Sequence, residues 1–426
     1  MKVLLIGSGG REHVLAWKIK QSPLVDELFC APGNGGVASI AQCVDIDALD
    51  IDALLVFAKE NEIGLTVVGP EAPLVAGIVD AFEAEGLKIF GPSKLAAQLE
   101  GSKIFSKEFM YDNGIPTAPF ITFNDLETAR NFLPQAEYPV VVKADGLAAG
   151  KGVIICKSQE EAEEAVSQIM EKKVFKAAGS RIVIEECLSG PEVSILALCD
   201  GENYVLLETA QDHKRIFDDD LGPNTGGMGA YSPADIVDDR LLREIESTVI
   251  RPTLMEMRRN DMPFKGVLYA GIMLTDEGPM VLEYNVRFGD PEIQAVLPRL
   301  KTDLVEVLLA CCEGNLIDTY LEWEAGACVC VVMSSGGYPG AYEKGKLITG
   351  LKEASQLSDV FVFHAGTKLS DADVVTNGGR VLGVSGLGHS VEAAIEKAYE
   401  AVEIIKFDRL FFRRDIGAKA LKKNKV

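Results

Sequence analysis

The stretch YPVVVKADGLAAGKGVIIC, residues 138–156, decides how the central part of this chain folds. Two β-branched runs flank a loop with three glycines, which is the pattern of two adjacent strands joined by a flexible turn. A charged, helix-like segment, SQEEAEEAVSQIMEKK, and a further strand-like run, RIVIEEC, follow. The pattern predicts a small α+β subdomain, about residues 121–191, whose glycine-rich loop is mobile and acts as a lid.

The first hundred residues alternate short apolar runs with amphipathic stretches, and each apolar run ends in Gly, Pro or Asn. Parallel strands meet their loops in this way in a series of βαβ units, so we predict an α/β, doubly wound, Rossmann-like domain over residues 1–102. In such sheets ligands lie beyond the carboxyl ends of the strands. We therefore expect the loops at residues 7–11, 31–36 and 69–72 to converge on one crevice.

The remaining sequence indicates two further domains. Strand-like runs continue over residues 194–323, interrupted by a long glycine-rich loop without regular pattern, residues 218–233, whose length favours a function. Together with the lid, this region makes a central domain over residues 103–324. A smaller α+β domain is predicted over residues 325–426 and includes an amphipathic helix over residues 390–406.

Composition argues against several classes of partner. The chain has 426 residues, 64 of them acidic and 42 basic, and its net charge of -22 is the opposite of a nucleic-acid-binding footprint. No run reaches the roughly 18 apolar residues of a membrane span. The nine cysteines are scattered through apolar runs without CxxC spacing, as core thiols are. We expect a cytoplasmic protein, a monomer or weak homo-oligomer, that binds small molecules and neither nucleic acid nor membrane.

The run GSGGRE, residues 7–12, follows a strand and opens a helix, as a dinucleotide fingerprint does. Glu12 stands where the third glycine would be, and its bulk should hinder close helix packing, so NAD binding is disfavoured. Exposed amides at a helix N-terminus still make an anion site, although a plain tight turn has the same pattern. The residues of this predicted phosphate-monoester site are Ser8, Gly9, Gly10 and Arg11.

The glycine-rich loop after Lys143 ends in Gly150-Lys151-Gly152. It is not a Walker motif, because a glycine follows the lysine where Ser or Thr would stand. Such a loop still lets backbone amides close over a polyphosphate, while Lys143 and the earlier Lys103 supply positive charge to its oxygens. An ordinary glycine-containing hairpin is the alternative.

Glu283 and Asn285 stand at i and i+2 on the strand-like run MVLEYN, so their side chains share one face. Carboxylate and amide oxygens are donors that Mg²⁺ accepts. Arg287 continues this face, where its guanidinium would clamp a phosphoryl or carboxylate group.

Two further charged runs are ambiguous by themselves. The run QDHKR, residues 211–215, joins an acid, an imidazole and two cations beside a glycine-rich loop, a mixture suited to holding an ammonium and phosphates together. Glu185 and Glu186 close an apolar strand, with Glu192 nearby; such acids are either a solvated strand end or part of a site.

Taken together, the motifs resemble the glycinamide ribonucleotide synthetase family of the ATP-grasp superfamily. Ten segments occur in the family's order, at about its spacing, and span essentially the whole chain. They are GSGGREH, APGN, VVGPEAPLVAGIVD, EGSKIFSKEFM, YPVVVKADGLAAGKGV, VIEE, AQDHKRIFDDDLGPNTGGMGAYSP, GVLYAGIM, EYNVRFGDPE and TNGGRVL. The resemblance implies that the central domain is an ATP-grasp domain.

The resemblance further implies ATP-dependent joining of glycine to 5-phosphoribosylamine, the second step of de novo purine synthesis, with ADP and phosphate as products. Glycine would first become glycyl phosphate, whose carbonyl the amine then attacks. A free carboxylate is a poor electrophile, so phosphoryl transfer supplies the leaving group, and catalysis rests on positioning and charge neutralisation. The implied cofactors are ATP and Mg²⁺ or Mn²⁺.

Residue roles on the ATP side also follow from the resemblance. The implied ATP contacts are Lys103, Lys143, Gly150, Lys151 and Gly152 at the phosphates, Glu185, Glu186 and Leu188 at adenine through the backbone, and Glu192 at the ribose hydroxyls. Glu283 and Asn285 would hold the divalent ion. Arg287 would stabilise the charge that develops on the transferred phosphoryl group.

For phosphoribosylamine, the implied contacts are Ser8 to Arg11 at its phosphate, Asn34 and Glu71 near its ribose, and Arg380 from the third domain. An ordinary hairpin turn is the alternative explanation of Arg380. The residues expected at glycine and the reaction centre are Asp212 and Lys214, with Asn224, Gly226 and Gly227 of the loop at residues 224–229.

Some residues depart from the family's pattern: Asp219 stands for Gly, Tyr284 and Val286 for Phe and Ala, and Ile293 for Thr. None of them carries metal or phosphate chemistry in this interpretation. Three other functions are considered: another carboxylate-amine ligase or biotin-dependent carboxylase subunit, an NAD(P)-binding oxidoreductase, and a catalytically inactive nucleotide-binding regulator. Glu12 disfavours the oxidoreductase, and the intact set of ATP and metal residues disfavours the inactive regulator.

Overall fold

The computed structural model describes residues 1–148 and 152–422 of the chain. Its first part consists of β1 (Lys2–Gly7), α1 (Gly10–Ile19), β2 (Glu27–Pro32), β3 (Gln42–Cys43), α2 (Ile51–Glu60), β4 (Ile63–Val68), α3 (Glu71–Ala76), α4 (Ile78–Ala84) and β5 (Ile89–Phe90). The strands form one parallel sheet in the order β3-β2-β1-β4-β5. The chain winds outward from β1 first on one side and then on the other, so a topological switch point lies between β1 and β4.

The next part consists of α5 (Gln98–Gly101), α6 (Lys103–Asp112), β6 (Phe120–Phe123), α7 (Leu126–Phe132), β7 (Val140–Ala144), β8 (Val153–Cys156), α8 (Gln159–Val166) and β9 (Ile182–Glu186). Its strands form an antiparallel sheet, β6-β9-β7-β8, in which β7 and β8 are the hairpin expected from the sequence. The sheet and its helices enclose a core of their own, which includes Val142, Cys156 and Ile182. Gly152 is buried just before β8, whereas Gly150 and Lys151 lie outside the described residues.

The central part consists of β10 (Glu192–Asp200), β11 (Tyr204–Leu206), β12 (Gln211–Asp212), β13 (Arg215–Phe217), β14 (Leu221–Asn224), β15 (Gly229–Ser232), α9 (Asp239–Ile245), α10 (Arg251–Arg259), β16 (Lys265–Thr275), β17 (Gly278–Asn285), α11 (Glu292–Val296) and α12 (Leu304–Glu313). Its main sheet has the antiparallel order β11-β10-β16-β17. Because β17 ends at Asn285, the predicted metal residues stand at the end of this sheet.

The last part consists of β18 (Ala327–Ser335), α13 (Leu351–Ala354), β19 (Val360–His364), β20 (Thr367–Ser370), β21 (Asp373–Thr376), β22 (Arg380–Gly388), α14 (Val391–Ile404), β23 (Leu410–Phe411) and α15 (Ala418–Lys422). Its sheet has the order β12-β15-β18-β22-β19, and β23 pairs with the end of β18. The expectation of an irregular loop over residues 218–233 is wrong, because β14 and β15 lie within it. β15 is a strand through pairing with β18, far along the chain, and local sequence pattern cannot show such a partner.

The parts of the chain share apolar cores. Leu4 and Ile6 of β1 belong to the same core as Leu268 of β16, while Val3, on the other face of β1, belongs to a core with Leu308 of α12. Successive residues of a strand point to opposite faces, so β1 is buried on both sides. This shared burial fixes the crevice of the first sheet beside the end of β17. No helix in the described ranges is long and apolar enough to cross a membrane.

Candidate active site

The loops expected to converge meet beyond the carboxyl ends of β1, β2 and β4. The Gly33 amide donates to the Gly7 carbonyl at 3.0 Å. Asn34 Nδ2 donates to the Ser8 carbonyl at 2.9 Å and to the His364 carbonyl at 2.8 Å. Asn34 therefore ties two loops of the crevice to each other and to the last part of the chain.

Glu12 is buried at the start of α1, where it accepts from the Gly9 amide and lies 2.6 Å from Arg11 Nε. The carboxylate has room because Gly7 and Gly69 have no side chain: a Cβ on either glycine would lie 2.6 Å from Glu12 Cγ. The expectation that Glu12 hinders helix packing is therefore wrong. Two glycines from neighbouring strand ends make the space for it.

Some residues of the predicted phosphate site make contacts within the protein itself. Besides its pairing with Glu12, Arg11 donates to the Phe288 carbonyl at 3.2 Å, and its side chain is buried. Ser8 is exposed, and Gly10 is buried against Gln294.

The two lysines predicted at ATP phosphates lie beside β17. Lys103 Nζ is 3.7 Å from Glu283 Oε2. Lys143 Nζ donates to the Leu282 carbonyl at 3.0 Å and pairs with Glu185. Positive charge from α6 and from β7 is thus brought to the strand that carries the predicted metal residues.

Lys107 is a site residue that sequence reasoning missed. It is buried one turn after Lys103 in α6, with Nζ 2.5 Å from Glu185 Oε2 and 2.6 Å from Thr117 Oγ1. Desolvation lowers the pKa of Lys107 to about 8, although the Glu185 carboxylate opposes the shift. The i+4 spacing from Lys103 was the available signal, because residues four apart share a helix face. Lys107 and Lys143 together hold Glu185 in place.

The residues predicted at adenine and ribose lie where β9 ends and β10 begins. Glu186 is exposed and Leu188 is half-buried. Glu192 Oε2 is 2.6 Å from Lys214 Nζ. A residue predicted at the ribose is therefore in contact with one predicted at the reaction centre.

Glu283 and Asn285 end β17 as the sequence predicts. Desolvation would raise the pKa of Glu283, but nearby cations outweigh it and lower that pKa to about 2. The cations are Lys103, Lys214, Lys143 and Arg287. An ionised carboxylate next to an amide oxygen suits Mg²⁺ or Mn²⁺, which commonly take one or two protein oxygens and complete their shell with substrate phosphates.

Arg287 connects these metal residues to the crevice. Its Nη2 donates to Asn285 Oδ1 at 2.9 Å, and its Nε is 3.4 Å from Glu71 Oε2. Desolvation would lower the pKa of Arg287, but Glu100 and Glu71 raise it. The guanidinium therefore stays charged between the end of β17 and a loop of the first sheet.

Glu100 is a second missed residue. It is buried in the short helix α5, with Oε1 3.2 Å from Arg287 Nη2, while Oε2 accepts from the Val286 amide at 2.7 Å. Desolvation raises the pKa of Glu100, and Arg287 opposes that shift. A helix of four residues has no periodicity that could have marked this side chain.

Arg380 reaches from β22 to the loop at residues 224–229, here called the glycine loop. Its Nη1 donates to the Gly226 carbonyl at 2.5 Å and to the Asp290 carbonyl at 2.7 Å, and its Nη2 is 3.4 Å from Asp290 Oδ2. Gly227 has φ of +107°, and a Cβ there would stand 2.4 Å from Pro291 Cδ, so this position requires glycine. Asp290, which the sequence analysis did not select, is also next to Gly9.

Asp212 and Lys214 are half-buried between the glycine loop and β17. Desolvation raises the pKa of Asp212 well above its usual value; Glu292 raises it further, while Lys214 opposes the shift. Desolvation would lower the pKa of Lys214, but Glu192 and other acids raise it well above its usual range. Asn224 is half-buried opposite Arg215 in the β13–β14 hairpin.

Contacts among the described residues thus connect the two sides of one candidate site. Lysines and oxygen donors at the end of β17 can hold a polyphosphate with a divalent ion, and the crevice lies on the other side of Arg287. This arrangement suits transfer of a phosphoryl group to a carboxylate held between the two sides. Together, the fold and the site define a protein of the ATP-grasp class.

The comparison with known families agrees with this class. Residues 101–293 match the ATP-grasp (A) domain of phosphoribosylglycinamide synthetase, residues 1–100 its N domain and residues 328–419 its C domain. The chain belongs to the phosphoribosylglycinamide synthetase family.

Individual relatives support the assignment. A phosphoribosylamine-glycine ligase of Rhodopirellula baltica is 54% identical, over 98% of each chain. The crystal structure of the phosphoribosylamine-glycine ligase of Thermotoga maritima has a TM-score of 0.85 and 35% identity, covering 97% of this chain and 100% of that one. The biotin carboxylase domain of Hydrogenobacter thermophilus 2-oxoglutarate carboxylase has a TM-score of 0.75 at 17% identity, covering 96% of this chain and 91% of that one, and shows the fold alone. The predicted family and fold class are confirmed.

Proposed function

We propose that this chain is a phosphoribosylamine-glycine ligase, which joins glycine to 5-phosphoribosylamine as ATP is cleaved to ADP and phosphate. The observation that carries the proposal is the position of Arg287. Its guanidinium contacts Asn285 on the nucleotide side and Glu71 on the crevice side, so ATP and phosphoribosylamine would meet at one cation. Family membership supplies the identity of the two molecules that are joined, glycine and 5-phosphoribosylamine.

In the first step, a glycine carboxylate oxygen bonds to the γ-phosphorus of ATP while the bond to the β,γ-bridging oxygen breaks. ADP leaves with that electron pair, and glycyl phosphate remains. Lys103 and Lys143 would offset the charge of the ATP phosphates, and Arg287 the charge on the transferred group. Mg²⁺ or Mn²⁺ held by Glu283 and Asn285 would neutralise further phosphate charge when bound.

In the second step, the amine of phosphoribosylamine bonds to the glycyl carbonyl carbon and phosphate leaves with its bonding electrons. The amine nitrogen gives up a proton as the amide forms. Asp212, whose pKa is raised well above its usual value by desolvation and by Glu292, would accept that proton. Lys214, with Asn224, Gly226 and Gly227, would position glycine beside it.

The remaining contacts in this proposal are those that the family resemblance implies. The turn at Ser8 to Arg11 would face the phosphate of phosphoribosylamine, with Asn34 and Glu71 near its ribose and Arg380 closing the site from β22. The backbone near Glu186 and Leu188 would meet adenine. We also propose that the enzyme works in the cytoplasm, because all nine cysteines are unpaired.

The activity is tested by measuring ADP release from ATP and Mg²⁺ with glycine and freshly generated phosphoribosylamine, and by omitting each component in turn. The proposal requires that release depends on both glycine and the amine and yields glycinamide ribonucleotide. ATP cleavage without glycine would instead indicate another reaction on the same fold.

Substitution of Gly9 tests the crevice. A valine Cβ there would stand 2.8 Å from Glu12 Oε2 and 3.4 Å from Asp290 Oδ2, so it would disturb the turn predicted to hold the substrate phosphate. In Gly9→Val we expect the KM for phosphoribosylamine to rise at least about tenfold and that for ATP to change by less than about twofold. Steady-state kinetics with each substrate varied measures both. The matched control is Ala84→Val, on an exposed part of the same domain; equal increases in both KM values would count against the assignment.

Substitution of Lys107 tests the buried pair around Glu185. In Lys107→Met, Glu185 keeps Lys143 as its only cationic partner among the residues described, and Lys143 is drawn from the ATP phosphates toward it. We expect the KM for ATP to rise several-fold and the free energy of unfolding to fall by about 2 kcal/mol. Urea unfolding and kinetics with varied ATP measure the two effects. An unchanged KM for ATP would show that Lys107 does not influence the phosphate site.

A further inference from the structure

The segment that follows β23 holds a fully buried arginine. Arg413 has no exposed surface. Its Nε and Nη2 each lie 2.7 Å from an oxygen of Asp415, a bidentate arrangement. A buried guanidinium is costly unless it is fully paired, so its further partners are informative.

Those further partners belong to the β13–β14 hairpin. Arg413 Nη1 donates to the Arg215 carbonyl at 3.0 Å and to Asp220 Oδ1 at 2.9 Å. Lys419 Nζ is 2.7 Å from Asp220 Oδ2, and the Asp219 amide donates to Asp415 Oδ2 at 2.9 Å. The segment at residues 413–419, here called the C-terminal clamp, therefore holds both the first strand and the turn of the hairpin.

The turn of the hairpin is in a conformation that the clamp must maintain. Asp219 and Asp220 have φ of +56° and +53°, in the left-handed region that residues with a side chain seldom adopt. Each is tied to the clamp by a hydrogen bond or an ion pair.

The hairpin leads directly into the reaction centre. Lys214 immediately precedes Arg215, whose carbonyl the clamp holds. At the other strand, Asn224 pairs with Arg215, and the next amide, of Thr225, donates to the Lys214 carbonyl at 2.8 Å. A displacement of the hairpin would therefore move Lys214 and the glycine loop together.

We propose that Arg413 and Asp415 are positioning residues for the ligase reaction, which hold the β13–β14 hairpin so that Lys214 and residues 224–227 face the reaction centre. The expected changes in kcat and in the KM for glycine rest on the proposed function. Neither residue contacts substrate in the proposal. Both act through the backbone of the hairpin, from a different part of the chain.

The test uses two variants of graded severity. Arg413→Gln removes the central partner, and Asp220→Asn weakens the hairpin side while leaving Arg413 paired with Asp415. We expect kcat to fall and the KM for glycine to rise, each at least about tenfold in Arg413→Gln, with a KM for ATP within about twofold of wild type. Asp220→Asn should show the same pattern with smaller changes. The control is Lys397→Gln, which removes an ion pair with Asp359 on the same domain, away from the hairpin.

A second measurement does not depend on activity. Amide hydrogen exchange in peptides covering residues 213–229 should be faster in Arg413→Gln and Asp220→Asn than in the wild type or the control, while exchange in β1 and β16 is unchanged. If Arg413→Gln does not fold, Asp220→Asn decides the question. Unchanged exchange in this segment, or equal changes in the KM values of glycine and ATP, would overturn the proposal. If the wild type has no glycine-dependent turnover, the proposed function fails, and the exchange measurement still decides whether the clamp orders the hairpin.

Discussion

Replacing Glu283 with glutamine is expected to lower turnover by roughly three orders of magnitude while the protein still folds. Glu283 is the anionic oxygen donor at the end of β17, and four nearby cations keep its pKa at about 2, so it remains ionised throughout the neutral range. Glutamine has nearly the same shape but removes the charge that a divalent ion and Lys103 both require. We expect the concentration of Mg²⁺ needed for half-maximal turnover to rise as well.

The measurement is ADP release over a titration with Mg²⁺ and then with Mn²⁺, next to thermal unfolding of the same preparations. Glu277→Gln is the matched control, because Glu277 is exposed at the turn just before β17. The control should behave as the wild type in both assays. Near-normal turnover in Glu283→Gln at low Mg²⁺ would remove Glu283 from the metal site.

Replacing Arg287 with lysine is expected to lower kcat at least about 100-fold with a small effect on the KM for ATP. One ammonium cannot reproduce the contacts that the guanidinium makes with Asn285, Glu71, Glu100 and the Phe288 carbonyl. Lysine keeps the positive charge at position 287, so the buried Glu100 still has a cation nearby. The loss should therefore fall on the transition state, where planar, bidentate recognition of the phosphoryl group matters.

Kinetics with each substrate varied, together with urea unfolding, separates this catalytic effect from a loss of stability. Arg258→Lys is the control, because Arg258 is an exposed arginine that pairs only with Glu202 among the residues described. A kcat within about threefold of the wild type in Arg287→Lys would mean that position 287 supplies charge and no specific geometry.

Much of the fold was predictable because it depends on local sequence patterns. The βαβ alternation of the first hundred residues gave the parallel sheet, and the glycine-rich hairpin at residues 138–156 gave β7 and β8. The i, i+2 spacing of Glu283 and Asn285 placed both at the end of one strand. Periodicity and turn chemistry act over a few residues, so they can be read from the sequence without knowing what packs against them.

What the local patterns did not predict depends on partners distant in the chain. β15 is a strand because β18 pairs with it, and Glu12 is accommodated at a helix start because Gly69 stands opposite. Glu100 and Lys107 were not selected from the sequence, because their roles depend on Arg287 and Glu185, which lie far from them in the chain.

The sequence by itself therefore determined the family and the fold class, and it supplied most of the residues that we expect around ATP and the metal. Only the tertiary structure decided which charges are buried, which of them are paired, and that residues from β17, the first sheet and β22 meet around Arg287 and Asp290. The physical reason is that the energy of a charge is set by its desolvation and by partners within a few ångströms, and both depend on segments that are far apart in the chain.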